Sequence, residues 1–311
     1  MRYFTVLVFI LIFSFLYVIL KEKTSDEYIS PGLKFIDEKE TACRISESDL
    51  KKKRVVIFDI SDLYCDTAED TLNCPFISGI LSRSRVFGSV LNLSPERNLS
   101  LRSFLECLPP YKLYDGTEPF SDLKIMISEN MRNSSMIGEF ESASYRTKGF
   151  FSDSLTNTFA GKYFSSSEFY PNKENMIESV YSSILNDISG NILYYVDMTG
   201  GESGKFYKKR TDDLIAAVVE RLRERYKTDL MIVLISTKTE KPLSKTMTVF
   251  HGFGNGGERC EDNLASTDMS RMLMNLCGIR PKNYFGGYDL EDGDDDVGRD
   301  LFAGLSGDTL L

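Results

Sequence analysis

Apolar and polar positions along the chain fall into three kinds of run. The first is residues 3–20, YFTVLVFILIFSFLYVIL, which hold no charge and only Tyr3, Thr5, Ser14 and Tyr17 as polar interruptions. At 1.5 Å per residue such a helix reaches about 27 Å, enough to cross a bilayer core. Bulky Val18, Ile19 and Leu20 and then Lys21 stand where a cleavable signal would carry small residues, so the run reads as an uncleaved signal anchor over residues 1–23. Residues 24–54 are polar and charged and end in Lys51-Lys52-Lys53-Arg54, a stalk leading into a folded domain.

The second kind of run is continuously apolar, short and rich in β-branched and aromatic residues. VVIFDI (55–60), NILYYVDM (191–198) and DLMIVLIST (229–237) have the pattern of strands buried on both faces, as in parallel α/β sheets. The third kind repeats at helical spacing. Leu214, Ile215, Val218 and Leu222 lie on one face of 212–225, and Met176, Ile177, Val180, Ile184 and Ile188 on one face of 173–188, with Asn172 as N-cap. In 266–279, Met269, Met272, Leu273 and Leu276 point inward and Gly278 ends the helix. Strand and helix alternate, which predicts an α/β domain over 55–290. Residues 291–311 are acidic and Gly-rich and read as a loose tail.

Charge and composition narrow the function. The 311 residues hold 37 Lys and Arg against 46 Asp and Glu, a net charge of −9, so no overall field gathers nucleic acid. His251 is the only histidine, which excludes sites that need two imidazoles. Three sequons begin at Asn92, Asn98 and Asn133, and six cysteines are present. Both features suit a lumenal or extracellular body, with a disulfide or two expected and no structural zinc. The localisation read from this is a single-pass membrane protein with its body in the endoplasmic reticulum lumen or at the cell surface.

Candidate chemistry collects at strand ends. Asp59 and Asp197 close two of the buried runs, where open α/β sheets hold their ligands, and two such carboxylates can share a cation. The alternative is that each caps a helix or holds a loop. Gly200–Lys205 follows a strand and resembles a phosphate-binding loop but lacks its spacing, which leaves an unrelated nucleotide-binding α/β domain as a third reading.

Taken in order, these blocks resemble the alkaline phosphatase superfamily, in particular its sulfatase-like and phosphoethanolamine-transferase-like branches. VVIFDISD matches the first strand with its metal-binding Asp, at Asp59. Residues 75–110 are similar to the stretch that leads into the nucleophile helix, and 122–140 to a segment where a helix leads to a strand. YYVDMTGGESGKF matches the Asp-x-x-Gly-His block at Asp197, DLMIVLISTKTE the Ser-Asp-His-Gly block, and 266–287 the closing helix. The resemblance implies a mostly parallel sheet flanked by helices. It also implies an enzyme that holds one or two divalent metals and transfers a phosphoryl or sulfuryl group from a Ser, Thr or Cys nucleophile.

The departures fall on that chemistry. The nucleophile position aligns near Arg97 and Asn98, with Ser94 and Ser100 as the nearest hydroxyls. Thr237 and Lys238 replace the Asp and His of one ligand block, and Gly201, beside Glu202, replaces the His of another. Asp59 survives from one metal site, and Asp197, Glu202 and His251 remain for the other. They would hold at most one weakly bound zinc, manganese or calcium ion. The leading expectation is therefore a membrane-anchored pseudoenzyme that binds or scaffolds. The alternative is a divergent transferase or hydrolase acting on a lipid or glycan, with Ser94 or Ser100 as nucleophile and Lys238 stabilising the transferred charge.

Overall fold

The computed structural model describes residues 54–92, 97–108, 132–187, 190–200, 205–226, 229–239, 245–252, 259–260 and 264–279. The anchor at 1–23, all of the stalk except Arg54, the tail at 291–311, Ser94 and Glu202 lie outside the described residues. Among the described residues, no helix is long and apolar enough to cross a membrane.

Among the described residues, nine strands form one sheet: β1 (Arg54–Asp59), β2 (Ser84–Leu91), β3 (Tyr145–Phe151), β4 (Ser166–Phe169), β5 (Asn191–Asp197), β6 (Leu230–Ile235), β7 (Lys245–His251), β8 (Arg259–Cys260) and β9 (Leu264–Ala265). Their order is β4-β3-β5-β1-β6-β7-β2-β8, with β9 beside β2. The block β4-β3-β5-β1-β6 is parallel throughout, whereas β7 runs against both β6 and β2. The sheet is thus mostly parallel, as the buried apolar runs predict.

Strand parity sorts the core into two layers, because successive side chains leave a strand on opposite faces. On one face Val55, Ile57, Leu193, Tyr195, Met231 and Val233 pack with α2 (Arg97–Glu106), α3 (Met136–Ser142) and α7 (Ser266–Leu276). On the other, Val56, Phe58, Tyr194, Val196 and Ile232 pack with α1 (Pro75–Leu81), α5 (Lys173–Asn186) and α6 (Lys205–Tyr226). A further helix, α4 (Ser154–Ala160), follows β3. Asp59 shares the parity of Ile57, and Asp197 that of Tyr195, so both carboxylates point to the face that carries α2.

Local signals set the boundaries. Asn172 caps α5, its Oδ1 accepting the Asn175 N–H at 3.0 Å, and Gly278 takes φ 70° just past α7, as expected of a left-handed stop. Helix α6 begins at Lys205, two turns before the apolar periodicity of 212–225 starts. The segment Ile137-Gly138-Glu139 is helical rather than a strand: Ser135 caps it by accepting the Gly138 N–H at 3.1 Å, and a Cβ at Gly138 would lie 2.4 Å from the Arg132 carbonyl oxygen.

The expected disulfides are not formed among the described residues: Cys65, Cys74, Cys107, Cys260 and Cys277 are all thiols. Cys65 instead points its Sγ at the Gly88 carbonyl, 3.1 Å away. Burial, with Asp212 nearby, pushes the Cys74 thiol up to about 11, and burial likewise raises Cys107, so both serve as packing groups.

Candidate functional site

Asp59 and Asp197 are direct register partners on adjacent parallel strands, both with 0% exposure. Their Cα atoms are therefore about 4.8 Å apart, the ordinary strand spacing. Two buried carboxylates this close cannot both stay charged without a compensating cation or dense hydrogen bonding.

Asp59 is compensated by the charge of Arg97 and by three hydrogen bonds. Tyr195 donates its hydroxyl to Oδ2 at 2.6 Å, the Thr237 N–H donates to Oδ1 at 2.8 Å, and the Thr237 hydroxyl donates to Oδ2. Burial pushes the Asp59 carboxyl upward, opposed by Arg97, seconded by the charge of Asp197 and opposed again by the Thr237 and Tyr195 bonds; the net direction is up. Burial and the two carboxylates raise Tyr195 well above its usual range, so its hydroxyl stays a donor.

Asp197 is compensated by a guanidinium. Arg97, the first residue of α2, places Nη2 2.6 Å from Asp197 Oδ1, with side-chain exposures of 15% and 0%. The Thr199 N–H and hydroxyl add bonds to the same oxygen at 2.9 and 2.6 Å. The other arm of Arg97 donates to the Thr156 hydroxyl, which in turn donates to Asp153 Oδ2 at 2.7 Å, where Asp153 also caps α4. The arginine is thus braced from both ends. Burial acts to lower its pKa, but the charges of Asp197 and then Asp59 outweigh that and raise it further.

Two lysines border the pair. Lys173, the first residue of α5, donates to the Met198 carbonyl at 2.8 Å, and burial, partly opposed by Asp197, brings its amine down to about 8. Lys238 is exposed; its Nζ reaches the Thr199 carbonyl at 3.4 Å and pairs with no described carboxylate. Its one side-chain hydrogen bond to a described residue sets it against Thr199, two positions after Asp197.

The sequence-predicted set is therefore only partly assembled. Asp59, Asp197 and Lys238 share one strand-end cleft. His251 does not join them: β7 runs antiparallel, so its last residue lies at the opposite edge of the sheet. Ile232 is register partner to both His251 and Val56, and Val56 precedes Asp59 by three residues. His251 is thus roughly 10 Å away along the strands, plus two strand spacings across. Ser100 is buried inside α2 and gives its hydroxyl to Asn92, whose amide donates to the Thr237 carbonyl at 3.2 Å. It braces the loop that carries Thr237 and presents no nucleophile to the cleft.

The donor set fits a divalent metal poorly. An ion shared by the aspartates would have to displace the guanidinium from Asp197 and three hydrogen bonds from Asp59, and it would sit beside two further cations. Asp197 Oδ2 is the one buried oxygen of the pair with no hydrogen-bond partner. Among the described residues, no group of three or more His, Cys, Asp or Glu side chains is placed to hold an ion.

With this geometry in hand, solved structures give the fold its class. Over 76% of this chain and 69% of the other, the chain resembles a protein in the alkaline phosphatase superfamily from Vibrio parahaemolyticus, with a TM-score of 0.61 at 10% identity. A 2-O GAG sulfatase gives 0.61 at 12% identity over 78% of this chain and 74% of its own. The lipoteichoic acid synthase LtaP from Listeria monocytogenes gives 0.56 at 12% identity over 77% and 76%. No family model matches the chain, and no curated protein matches it in sequence. The fold is that of the alkaline phosphatase superfamily, as the order of the sequence blocks implied.

Proposed function

We propose that this chain is a catalytically silent alkaline-phosphatase-like module, tethered to a membrane through residues 3–20, that binds or scaffolds a partner such as a lipid or glycan. The observation that carries this reading is the Arg97 guanidinium held on Asp197 next to Asp59. A protein cation stands where the resemblance implies a nucleophile and a dication, and it neutralises the carboxylates without supplying a Lewis acid or an activated hydroxyl. The tether and a lumenal or surface location rest on the sequence alone.

Assays of the full chain in micelles against aryl phosphate, phosphodiester and sulfate ester, with added zinc, manganese or calcium, test the reading. Turnover at the level of the no-protein blank is expected. Robust turnover lost on both chelation and Asp59→Ala would overturn it.

A second reading, a divergent metal-dependent transferase or hydrolase, has one observation in its favour: the buried, unpartnered Asp197 Oδ2. That reading requires an ion whose binding depends on this oxygen and on displacement of Arg97.

A further inference from the structure

The edge at which the parallel strands begin, opposite the aspartates, gathers arginines from β1, β3 and α6. Arg54 opens β1 and Arg146 stands second in β3; both are register partners of Ile192 on β5, the strand between them. They therefore sit in one row about 9.6 Å apart, two strand spacings, and share the face that carries α5 and α6. Helix α6 runs back to this edge and ends in Arg225 and Tyr226, just before β6 begins at Leu230, itself a register partner of Arg54.

Direct contacts fix how these cations lie. The Arg54 guanidinium carbon is 4.2 Å from the centre of the Tyr226 ring, and that of Arg225 is 5.6 Å from the same centre, so one aromatic ring carries both. The ring is pinned by its hydroxyl, which donates to the Ile184 carbonyl at 3.1 Å. Arg54 is the inner member, with 11% of its side chain exposed and Asp229 at 3.6 Å. Arg146 is 66% exposed, with Asp187 at 3.1 Å; that carboxylate is itself buried and also accepts the Tyr194 hydroxyl at 3.2 Å. Arg225 is exposed and pairs with no described carboxylate.

The sequence around these contacts is basic as well. Lys51-Lys52-Lys53 lead into Arg54, and Arg223 and Lys227 bracket Arg225; Glu224 and Asp229 are the exposed carboxylates beside them, in a chain whose net charge is −9. A cation-rich rim on an acidic body fits a negatively charged surface. The chain also enters the body here: residues 21–53, which join Arg54 to the apolar run at 3–20, span at most about 110 Å. A body tethered through that run, as proposed above, stays within reach of lipid, and each arginine laid on an anionic bilayer then strengthens the contact about fivefold.

We infer that Arg54, Arg146 and Arg225 form a docking edge for an anionic lipid bilayer. Arg146 and Arg225 meet the phosphate and carboxylate groups of the headgroups, and Arg54 holds the Tyr226 ring on which Arg225 lies. The tether rests on the reading above; the docking edge rests on these contacts. Because β1 runs from Arg54 to Asp59, the aspartates lie about 17 Å from the docked edge and open away from the bilayer. A partner of that cleft then arrives from the aqueous side rather than from a headgroup of the same membrane.

The full chain is reconstituted into nanodiscs of phosphatidylcholine alone or with about 30% phosphatidylserine, and its arginines are footprinted with phenylglyoxal and read by mass spectrometry. Arg146 and Arg225 should react about fivefold more slowly in the anionic discs. Arg210 and Arg259, exposed elsewhere and paired with Glu174 and Glu69, should react equally in both. The protection should vanish in about 0.5 M salt, where the screening length falls to about 4 Å. The exposed variants Arg146→Gln and Arg225→Gln should each weaken protection of the other arginine. Co-elution with neutral discs reads the tether alone; where it fails, the comparison is made with vesicles of the two compositions, and the same protection is expected. Equal reactivity of Arg146 and Arg225 in both lipids, or equal protection of Arg210, overturns the inference.

Discussion

Arg97 and Asp197 form a buried ion pair, Nη2 to Oδ1 at 2.6 Å, that joins the first turn of α2 to the end of β5. Strand parity puts Asp59 on the same face one strand away, so a single guanidinium faces two carboxylates. In the superfamily that the fold resembles, this is the region from which the nucleophile and metals are expected to act. Here the same positions make a closed set of protein charges and hydrogen bonds.

Removing the arginine should expose how much the pair depends on it. Breaking a buried ion pair from one side typically costs about 3–5 kcal/mol, because the remaining charge is left uncompensated. Arg97→Ala should lower the denaturant unfolding free energy by that order, and Asp197→Asn by a similar amount. The double variant should lose clearly less than the sum of the two. Strictly additive losses would mean that the groups do not act as a pair.

Asp59 gives a prediction about pH. Burial, the largest cause, raises its carboxyl above the ordinary 3.8 in the folded protein. A carboxyl raised by folding contributes stability that is complete below the unfolded value and is lost as pH climbs through the folded one. Asn at this position does not titrate. Asp59→Asn should therefore gain on the parent as pH rises from about 4 to 8 in paired unfolding curves. A difference that stays flat with pH would contradict the assignment.

Lys173 works in the opposite sense at alkaline pH. Burial first, with Asp197 opposing, lowers its amine from 10.5 to about 8. Between these values the unfolded chain holds a proton that the folded chain has shed, so stability from this group rises with pH across the window, is complete above about 10.5 and is already lost once pH has fallen to about 8. Competitive acylation should find one amine that titrates near 8, missing in Lys173→Met. A Lys173 that titrates with the exposed lysines would refute this.

The three sequons should not be equivalent. Asn92 is 2% exposed; its Nδ2 donates to the Thr237 carbonyl at 3.2 Å and its Oδ1 accepts from Ser100, whereas Asn98 and Asn133 are exposed. In a chain expressed through a glycosylating lumen, Asn98→Gln and Asn133→Gln should each remove one glycan, and Asn92→Gln none. A glycan on Asn92 would contradict the packing, and absence of glycan at all three would contradict the lumenal reading.

Some of this was legible in the sequence. β1, β5 and β6 announce themselves because strands buried on both faces must be continuously apolar, and their terminal aspartates follow from the same runs. β3 hides because it alternates: Arg146 reaches outward to Asp187 at 3.1 Å and Lys148 to Glu168 at 2.7 Å, so YRTKGFF carries no unbroken apolar signal. The direction of a strand leaves no mark on its hydrophobic pattern, and that is why His251 reads as a neighbour of the aspartates although β7 carries it to the other edge. Thr237 follows β6 with the parity of Ile235 and so faces Asp59, a relation readable once β1 and β6 are known to pair. Arg97 is marked only by the resemblance, which aligns the nucleophile position near Arg97 and Asn98; its hydrophobic pattern carries no signal of its pairing with Asp197. An arginine at a helix start is ordinary, and only the packing of α2 on that face brings it to Asp197.

The account rests on a protein guanidinium occupying the place of a metal. The most direct measurement is the divalent metal content of the full chain after equilibration with zinc, manganese or calcium, for the parent and for Arg97→Ser. The parent should hold no stoichiometric ion, and the variant, with Asp197 uncovered, should bind more. A parent that retains one ion per chain, lost in Asp197→Asn, would contradict it.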